Sequence, residues 1–189
     1  MRISGGKAKG IPLSITKTNK LRPASEANRE RLFSSLGEWL LGKSVLDLFA
    51  GSGAYGLEAL SRGALNVHFV ERNRKICTDL ECNLENVCKS AGLEKRVGKL
   101  EKREVLEFLK TKINPFDLVF LDPPYSEFTK IGNQVFDFLY RNQFVHPNSL
   151  LVHEAPNGEI SSFENWRQIK TLGKGKKGAP VFRLFKPAF

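Results

Sequence analysis

The chain has few cysteines, and this scarcity limits how its fold can be held together. Only three of the 189 residues are cysteines, and all of them fall inside one predicted helix. An odd number of closely spaced cysteines provides no disulfide framework, and their spacing lacks the CxxC pattern of zinc sites. We therefore expect Cys77, Cys82 and Cys88 to be reduced thiols in a cytoplasmic protein that binds no metal.

Long apolar runs are also missing from the sequence. No stretch approaches the roughly 18 apolar residues of a membrane-spanning helix, and the N-terminal sequence MRISGGKAKGIPLS lacks the apolar core of a signal peptide. The histidines His68, His146 and His153 have neither triad nor metal-site spacing, so we expect structural roles for them. The length suits one α/β domain without a membrane partner, which we expect to be a monomer.

Acidic residues are almost absent from the two ends of the chain. Residues 1–43 carry nine Lys/Arg against three Glu, and residues 166–189 carry seven Lys/Arg and no acid. The segment between them carries 14 Lys/Arg against 17 Asp/Glu, so the net charge of +10 is concentrated at the ends. Segregated positive charge of this kind is typical of a protein that contacts a polyanion such as a nucleic acid.

The chain divides by pattern into a short arm and one larger domain. Residues 1–24 are rich in Gly, Lys, Thr and Pro and predict an N-terminal basic arm or hairpin, and residues 25–189 form the domain. A helix is predicted from Ser25 to Leu41, because Ser25 can cap it and apolar side chains recur at helical spacing. Gly63 is expected to end the next helix as a C-cap residue.

Apolar strands alternate with helices through the domain. Strands are predicted at 44–49, 66–71, 96–100, 116–122 and 149–155, and two late strands, WRQIKTL and APVFRLFK, flank the basic turn GKGKKG. This alternation predicts an α/β fold with a mostly parallel seven-stranded sheet covered by helices on both faces, made mixed by the closing pair of strands. In such sheets ligands bind at the carboxyl ends of the strands.

A glycine loop at the end of the first strand predicts a cofactor site. VLDLFAGSGAYG matches G-x-G-x-x-G, a weak signal by itself, but Asp47 precedes the loop. A carboxylate there would repel a pyrophosphate and suits a ligand with a cation, such as the sulfonium of S-adenosylmethionine. Gly51 and Gly53 allow close backbone approach. Glu71 ends the second strand, where a carboxylate can accept hydrogen bonds from ribose hydroxyls.

Two further residues complete the predicted cofactor site. Glu104 and Val105 follow the third strand and are placed to lie against the adenine. Glu104 is equally suited to interact with the dipole of the following helix from its N-terminus.

The stretch LDPPY predicts the reacting end of the site. Two consecutive prolines stop the fourth strand and hold Asp122 and Tyr125 in a stiff turn. The exocyclic amine of a nucleobase is a poor nucleophile, because its lone pair is delocalised into the ring. Asp122 and the carbonyl of Pro123 can accept its N–H bonds, and Tyr125 offers a face on which the base can stack.

These segments, taken in order, resemble the bacterial RsmD family of methyltransferases. The matching stretches are RISGGKAKG, LRPASEANRERLF, VLDLFAGSGAYGLEALSRGA, VERNRK and FDLVFLDPPY, which together span residues 2 to about 155. The resemblance implies a Rossmann-like class I fold with S-adenosylmethionine as cofactor. It also implies methylation of the exocyclic N2 of a guanine in small-subunit (16S) ribosomal RNA, free or in an assembling subunit.

The resemblance also implies residue roles. It makes Asp122, Pro123, Pro124 and Tyr125 the target-amine site. It extends the cofactor-binding set to Asp47, Phe49, Ala50, Gly51, Gly53, Glu71, Arg72, Glu104 and Val105.

Basic residues near the N-terminus are the predicted contacts to RNA phosphates. Arg22 precedes Pro23 and is therefore expected on extended backbone, and Arg29 lies one helical turn beyond Ser25. Both are predicted to point toward the target site. The full predicted set is Arg2, Lys7, Lys9, Arg22 and Arg29.

Three other functions remain open from the sequence. A DNA or other RNA adenine-N6 methyltransferase would use the same DPPY chemistry, although no separate DNA-recognition domain is evident. A non-catalytic RNA-binding assembly protein would retain the fold without the reaction. A nicotinamide-dependent dehydrogenase would use the glycine loop, but Asp47 disfavours it.

Overall fold

A computed structural model describes residues 1–15, 26–157, 162–173 and 180–189. The predicted roles of Ser25 as a helix cap and of Arg22 as a phosphate contact, and the basic turn within 174–179, lie outside these residues. The helices are α1 Glu26–Leu36, α2 Ala54–Ser61, α3 Arg74–Ala91, α4 Val105–Phe108 and α5 Tyr125–Arg141. The strands are β1 Ser44–Leu48, β2 Asn66–Val70, β3 Gly98–Glu101, β4 Phe116–Leu121, β5 Val145–Pro156, β6 Trp166–Leu172 and β7 Pro180–Pro187.

The seven strands form one mixed sheet in the order β3-β2-β1-β4-β5-β7-β6. Strands β1 to β5 all run parallel to one another, whereas β7 runs antiparallel to both β5 and β6. The predicted fold class is thereby confirmed, including the closing pair of strands. Strand order reverses at β1, which pairs with β2 on one side and β4 on the other, so a ligand crevice is expected where these strands end.

Apolar side chains on both faces of the sheet form the core. One face buries Phe33, Tyr55 and Phe120 under α1 and α2. The other buries Phe136 and Phe163 with α5, and these two rings stack with centroids 3.6 Å apart. Because both faces are covered, β1 and β4 read as continuous apolar runs, the pattern from which they were predicted.

Local signals fix where the helices begin and end. The side chain of Asn73 accepts hydrogen bonds from the first turn of α3, which ends at Gly92 in the left-handed conformation. The first helix is shorter than predicted: α1 stops at Leu36, and a 3₁₀ turn continues to Leu40. The reason is Gly37, whose φ of 53° lies outside the helical range. Among the described residues, no helix is long and apolar enough to cross a bilayer.

The N-terminal segment packs against α2. Arg2 and Pro12 form one antiparallel bridge, and the turn between them carries buried Ile3 and Ala8. Two backbone N–H groups of this turn bind Ser61, at 2.7 Å from Lys7 N to Ser61 O and 2.9 Å from Ala8 N to Ser61 Oγ. The described part of the predicted arm is therefore fastened to the helix that follows the glycine loop.

Candidate active site

A cleft of about 520 Å³ opens at the carboxyl ends of β1, β2, β4 and β5. It brings together ten of the residues predicted for the cofactor and target-amine sites, although they come from four separate segments of the chain. Those ten are Phe49, Gly51, Glu71, Arg72, Glu104, Val105, Asp122, Pro123, Pro124 and Tyr125. Further lining residues, absent from the prediction, include Ile76, Arg103, Glu127 and Glu154.

The loop after β1 takes an unusual backbone path. Gly51 and Gly53 have φ of 54° and 80°, and Phe49 adopts φ of 59° without being a glycine. Left-handed backbone costs about 1–3 kcal/mol for such a residue and occurs where a site requires it. Hydrogen bonds hold the path in place, from Ala50 N to Val70 O at 3.1 Å and from Gly53 N to Ala50 O at 2.8 Å. The loop is thus shaped before any ligand binds.

Asp47 lies beneath this loop. Its side chain is buried, and its Oδ2 accepts a hydrogen bond of 2.9 Å from the N–H of Gly56. Burial raises the pKa of Asp47 to about 8, the hydrogen bond from Gly56 opposes the rise, and nearby Glu71 adds to it. Among the described residues, Asp47, Ala50 and Gly53 are not part of the lining of the cleft. Any action of Asp47 on a cation bound in the cleft would therefore be through space.

Glu71 holds the loop and faces the cleft at once. Its Oε2 accepts from the N–H of Gly51 at 3.1 Å, and its Oε1 accepts from the N–H of Asn73 at 2.8 Å. Each carboxylate oxygen can accept more than one hydrogen bond, so both remain able to receive a hydroxyl. The pair of oxygens suits a ribose diol.

Arg72 crosses one edge of the cleft. Its guanidinium contacts Glu104 at 3.1 Å and Glu127 at 3.0 Å, which links the end of β2 to the start of α4 and the first turn of α5. Glu104 precedes α4 and makes no side-chain capping bond there. Its two predicted roles, adenine contact and interaction with the helix dipole, stay predictions, and in this structure its carboxylate forms an exposed ion pair with Arg72.

The DPPY segment follows β4 and lines the cleft. Asp122 follows β4, Pro124 occupies the N-cap position of α5, and Tyr125 begins that helix with 38% of its surface exposed. The carbonyl of Pro124 accepts from the N–H groups of Glu127 and Phe128, both at 2.9 Å. Burial raises the pKa of Asp122 well above its ordinary value, and the carboxylates of Glu154 and Asp47 raise it further.

His153 supports the same turn from β5. Its Nδ1 lies 3.0 Å from the carbonyl oxygen of Leu121, and the ring of Phe128 packs against it at 4.0 Å between centroids. Burial lowers the pKa of His153 to about 4, so the ring is neutral and donates Nδ1–H to Leu121. The segment before Asp122 is therefore held by a neutral histidine, in keeping with its predicted structural role.

The burial of Arg29 contradicts its predicted role as an RNA contact. The side chain is fully buried and pairs with Glu58 at 3.3 Å, and its guanidinium also donates to the carbonyl of Arg2. Phosphates of a bound RNA cannot reach it there. Its place on α1 was predictable from the sequence, but its inward direction was not, because that direction depends on Glu58, which is buried on α2. Arg2, Lys7 and Lys9, by contrast, are exposed.

Glu154 is a buried acidic residue of the site that sequence reasoning missed. It lines the cleft beside Asp122 and is only 8% exposed. A signal existed, since SLLVHEA places an acid at the carboxyl end of an otherwise apolar strand, the position from which Asp47 and Glu71 were selected.

Comparison with known proteins gives a consistent picture. The family model described as Conserved hypothetical protein 95 matches residues 1–184. Ribosomal RNA small subunit methyltransferase D of Haemophilus influenzae is 34% identical over 98% of this chain and 93% of its own. The Escherichia coli K12 protein of the same name is 32% identical over 98% and 89%. A solved structure of the Escherichia coli protein yhhF gives a TM-score of 0.83 at 28% identity, covering 100% of this chain and 99% of that one.

Proposed function

The chain belongs to the Conserved hypothetical protein 95 family, and from this premise we propose that it methylates the exocyclic N2 of a guanine in small-subunit ribosomal RNA. Relatives that carry the name Ribosomal RNA small subunit methyltransferase D match it over nearly their full length. The observation that carries the proposal is the shared cleft, in which Glu71 after β2 and Asp122 to Tyr125 after β4 flank the glycine loop that follows β1. One cavity can then hold a methyl donor and an amine together.

The donor end of the cleft fits S-adenosylmethionine, which supplies an electrophilic methyl group on a sulfonium centre. Glu71 presents two acceptor oxygens for ribose hydroxyls, and Ile76 and Val105 provide an apolar wall for an adenine ring. Gly51 exposes backbone to the amino-acid part of the molecule. Asp47 suits the positive charge through space, because binding of a cation favours its ionised form.

The acceptor end fits a nucleobase amine. Asp122 and the carbonyl of Pro123 are placed to accept the two N–H bonds of the amine, which directs its lone pair away from the ring plane. Hydrogen bonds to a charged group contribute about 1.5–3 kcal/mol each. The exposed ring of Tyr125 provides a stacking surface worth about 1–3 kcal/mol per base. Holding the nitrogen in line with the methyl group supplies the larger share, roughly 7–11 kcal/mol.

The exposed basic residues suit an RNA substrate. Arg2, Lys7 and Lys9 are exposed on the N-terminal segment, and the chain carries a net charge of +10. These residues supply the sequence-independent attraction to phosphates that RNA binding requires. We place the enzyme in the cytoplasm as a monomer acting on ribosomal RNA or on an assembling small subunit.

The deciding experiment is methyl transfer from labelled S-adenosylmethionine to unmodified small-subunit RNA, both free and protein-bound, with duplex DNA in parallel. We expect N2-methylguanine in the RNA, identified by nucleoside mass. Label in DNA adenine would support amine methylation by the DPPY segment but would overturn the proposed RNA substrate. Cofactor binding without transfer to any of these would favour an RNA-binding assembly protein.

A further inference from the structure

A second carboxylate stands beside Asp122 at the end of the sheet. Leu121 of β4 pairs with His153 of β5 in parallel register, so the next residues, Asp122 and Glu154, are neighbours on adjacent strands. Side chains alternate along a strand, which places both on the face opposite to His153. Both line the cleft, and both also line a small cavity with Tyr55.

Tyr55 fixes the orientation of Glu154. The tyrosine comes from the first turn of α2, and its hydroxyl donates a hydrogen bond to Glu154 Oε2. Its ring stacks on Phe120 with centroids 5.2 Å apart and meets Phe182 edge-on. A ring packed on two sides has little freedom, so its hydroxyl holds the glutamate carboxylate in the space that Asp122 also lines.

The groups that face this pair come from every element around it. Asp47 faces Asp122 from β1, and Arg29 of α1 acts on Tyr55. Arg183 of β7 pairs in register with His153, on the opposite face from Glu154. Burial raises the pKa of Glu154, and the hydrogen bond from Tyr55 opposes that rise. The immediate surroundings of Asp122 are therefore acidic, which favours its protonated form.

We propose that Glu154, oriented by Tyr55, is a positioning residue that acts through Asp122 and makes the Asp122 carboxylate the acceptor of the proton released during methylation. The proposal rests on the proposed function and assigns the second half of the same reaction. In this assignment Asp122 contacts the amine, whereas Glu154 acts on Asp122 through its charge.

The reaction leaves one proton to be removed. The amine nitrogen forms a bond to the methyl carbon, the sulfur keeps the electron pair of the broken bond, and the nitrogen becomes a cation with one proton too many. That proton lies on an N–H bond already directed at Asp122, and it passes to the Asp122 carboxylate. A neighbouring negative charge strengthens Asp122 as a base. Solvent then takes the proton after the product leaves.

Glu154→Gln removes the charge and keeps an oxygen that can accept from Tyr55. Single-turnover methylation should be followed from about pH 5 to pH 9. We expect the acid limb of the rate profile to move to lower pH by about one unit or more, the effect expected when a neighbouring charge is lost, with a lower plateau. Glu154→Asp should restore the limb toward the wild-type position. Asp137→Asn, which removes a half-buried carboxylate that pairs with Arg141 on α5, should leave the profile unchanged.

A carbon-13 titration of the carboxyl groups tests the same relationship without turnover. The Asp122 signal, assigned with Asp122→Asn, should titrate at lower pH in Glu154→Gln than in the wild type. A rate that falls equally at all pH values, with an unmoved Asp122 titration, would reduce Glu154 to a structural residue and overturn the proposal.

Should Glu154→Gln fail to fold, Tyr55→Phe provides the test, and an unmoved limb in the folded variant would likewise overturn it. A wild type that binds cofactor but methylates no guanine would sink the proposed function, while the titration would still decide whether Glu154 acts on Asp122.

Discussion

The buried carboxylate of Asp47 accepts its hydrogen bond from the N–H of Gly56, 2.9 Å away inside α2. Its folded pKa of about 8 lies above the ordinary value of 3.8, so between these values the folded state binds more protons than the unfolded state. The free energy of unfolding contributed by this group therefore falls as pH rises from about 4 to 8.

Asp47→Asn should remove that pH dependence, because the amide oxygen can still accept from Gly56 and carries no charge. We expect the variant to gain stability relative to the wild type as pH rises, and urea unfolding at pH 5 and pH 8 measures the difference. Glu30→Gln, which removes an exposed carboxylate on α1, is the control. A stability difference that is the same at both pH values would mean that Asp47 is not protonated in the empty fold.

Arg29→Ala should destabilise the protein by about 3–5 kcal/mol, the cost of breaking a buried ion pair. Glu58 would keep Arg62 at 2.8 Å, which favours the lower part of that range. Arg31→Ala, an exposed arginine two residues along the same helix, should change stability little. Denaturant unfolding compares the two variants. A stable Arg29→Ala protein with weakened RNA binding would instead restore the phosphate contact predicted from the sequence.

Glu71→Gln should weaken binding of S-adenosylhomocysteine by roughly 10- to 150-fold, since hydrogen bonds to a charged acceptor are worth about 1.5–3 kcal/mol. Calorimetric titration gives the affinity directly. Glu85→Gln is the matched control, because Glu85 is exposed on α3 and pairs only at the surface with Lys95. Equal affinities for the wild type and Glu71→Gln would exclude a ribose contact at this carboxylate.

Tyr125→Ala should lose about 1–3 kcal/mol of substrate RNA binding, the value of one base stacked on an aromatic ring. Tyr125→Phe retains the ring and should bind nearly as the wild type does. Fluorescence anisotropy with a short RNA carrying the target guanine reports the affinity. The idea of a stacked base would be untenable if both variants bound the RNA equally well.

Lys7→Ala combined with Lys9→Ala should make RNA binding less sensitive to salt. Each lost phosphate contact reduces the slope of log affinity against log salt by about 0.7 for a single strand. The double variant Lys110→Ala and Lys112→Ala removes the same charge from the region between α4 and β4, away from the cleft, and should leave the slope unchanged. Equal slopes in all three proteins would show that the N-terminal segment does not contact phosphates.

Much of this fold was predictable because its signals are local. Continuous apolar runs marked β1 and β4, and the glycine loop and the two prolines marked where each strand ends. The parallel order then placed Glu71 and Asp122 at one edge without any knowledge of distances. Long-range contacts were not predictable in the same way. Arg29 points inward because it pairs with Glu58, and Glu154 is oriented by a hydrogen bond from Tyr55. Both partners are remote in sequence from the residues they orient.

Glu58 joins the N-terminal segment to the helix that starts at the glycine loop. It accepts from both the N–H and the hydroxyl of Ser4, each at 2.8 Å, while α2 begins directly after Gly53. If the segment holds RNA and the loop holds the donor, as we propose, both ligands act on a single eight-residue helix. Thermodynamic reciprocity then applies. The factor by which bound RNA raises the affinity for the donor equals the factor by which bound donor raises the affinity for RNA.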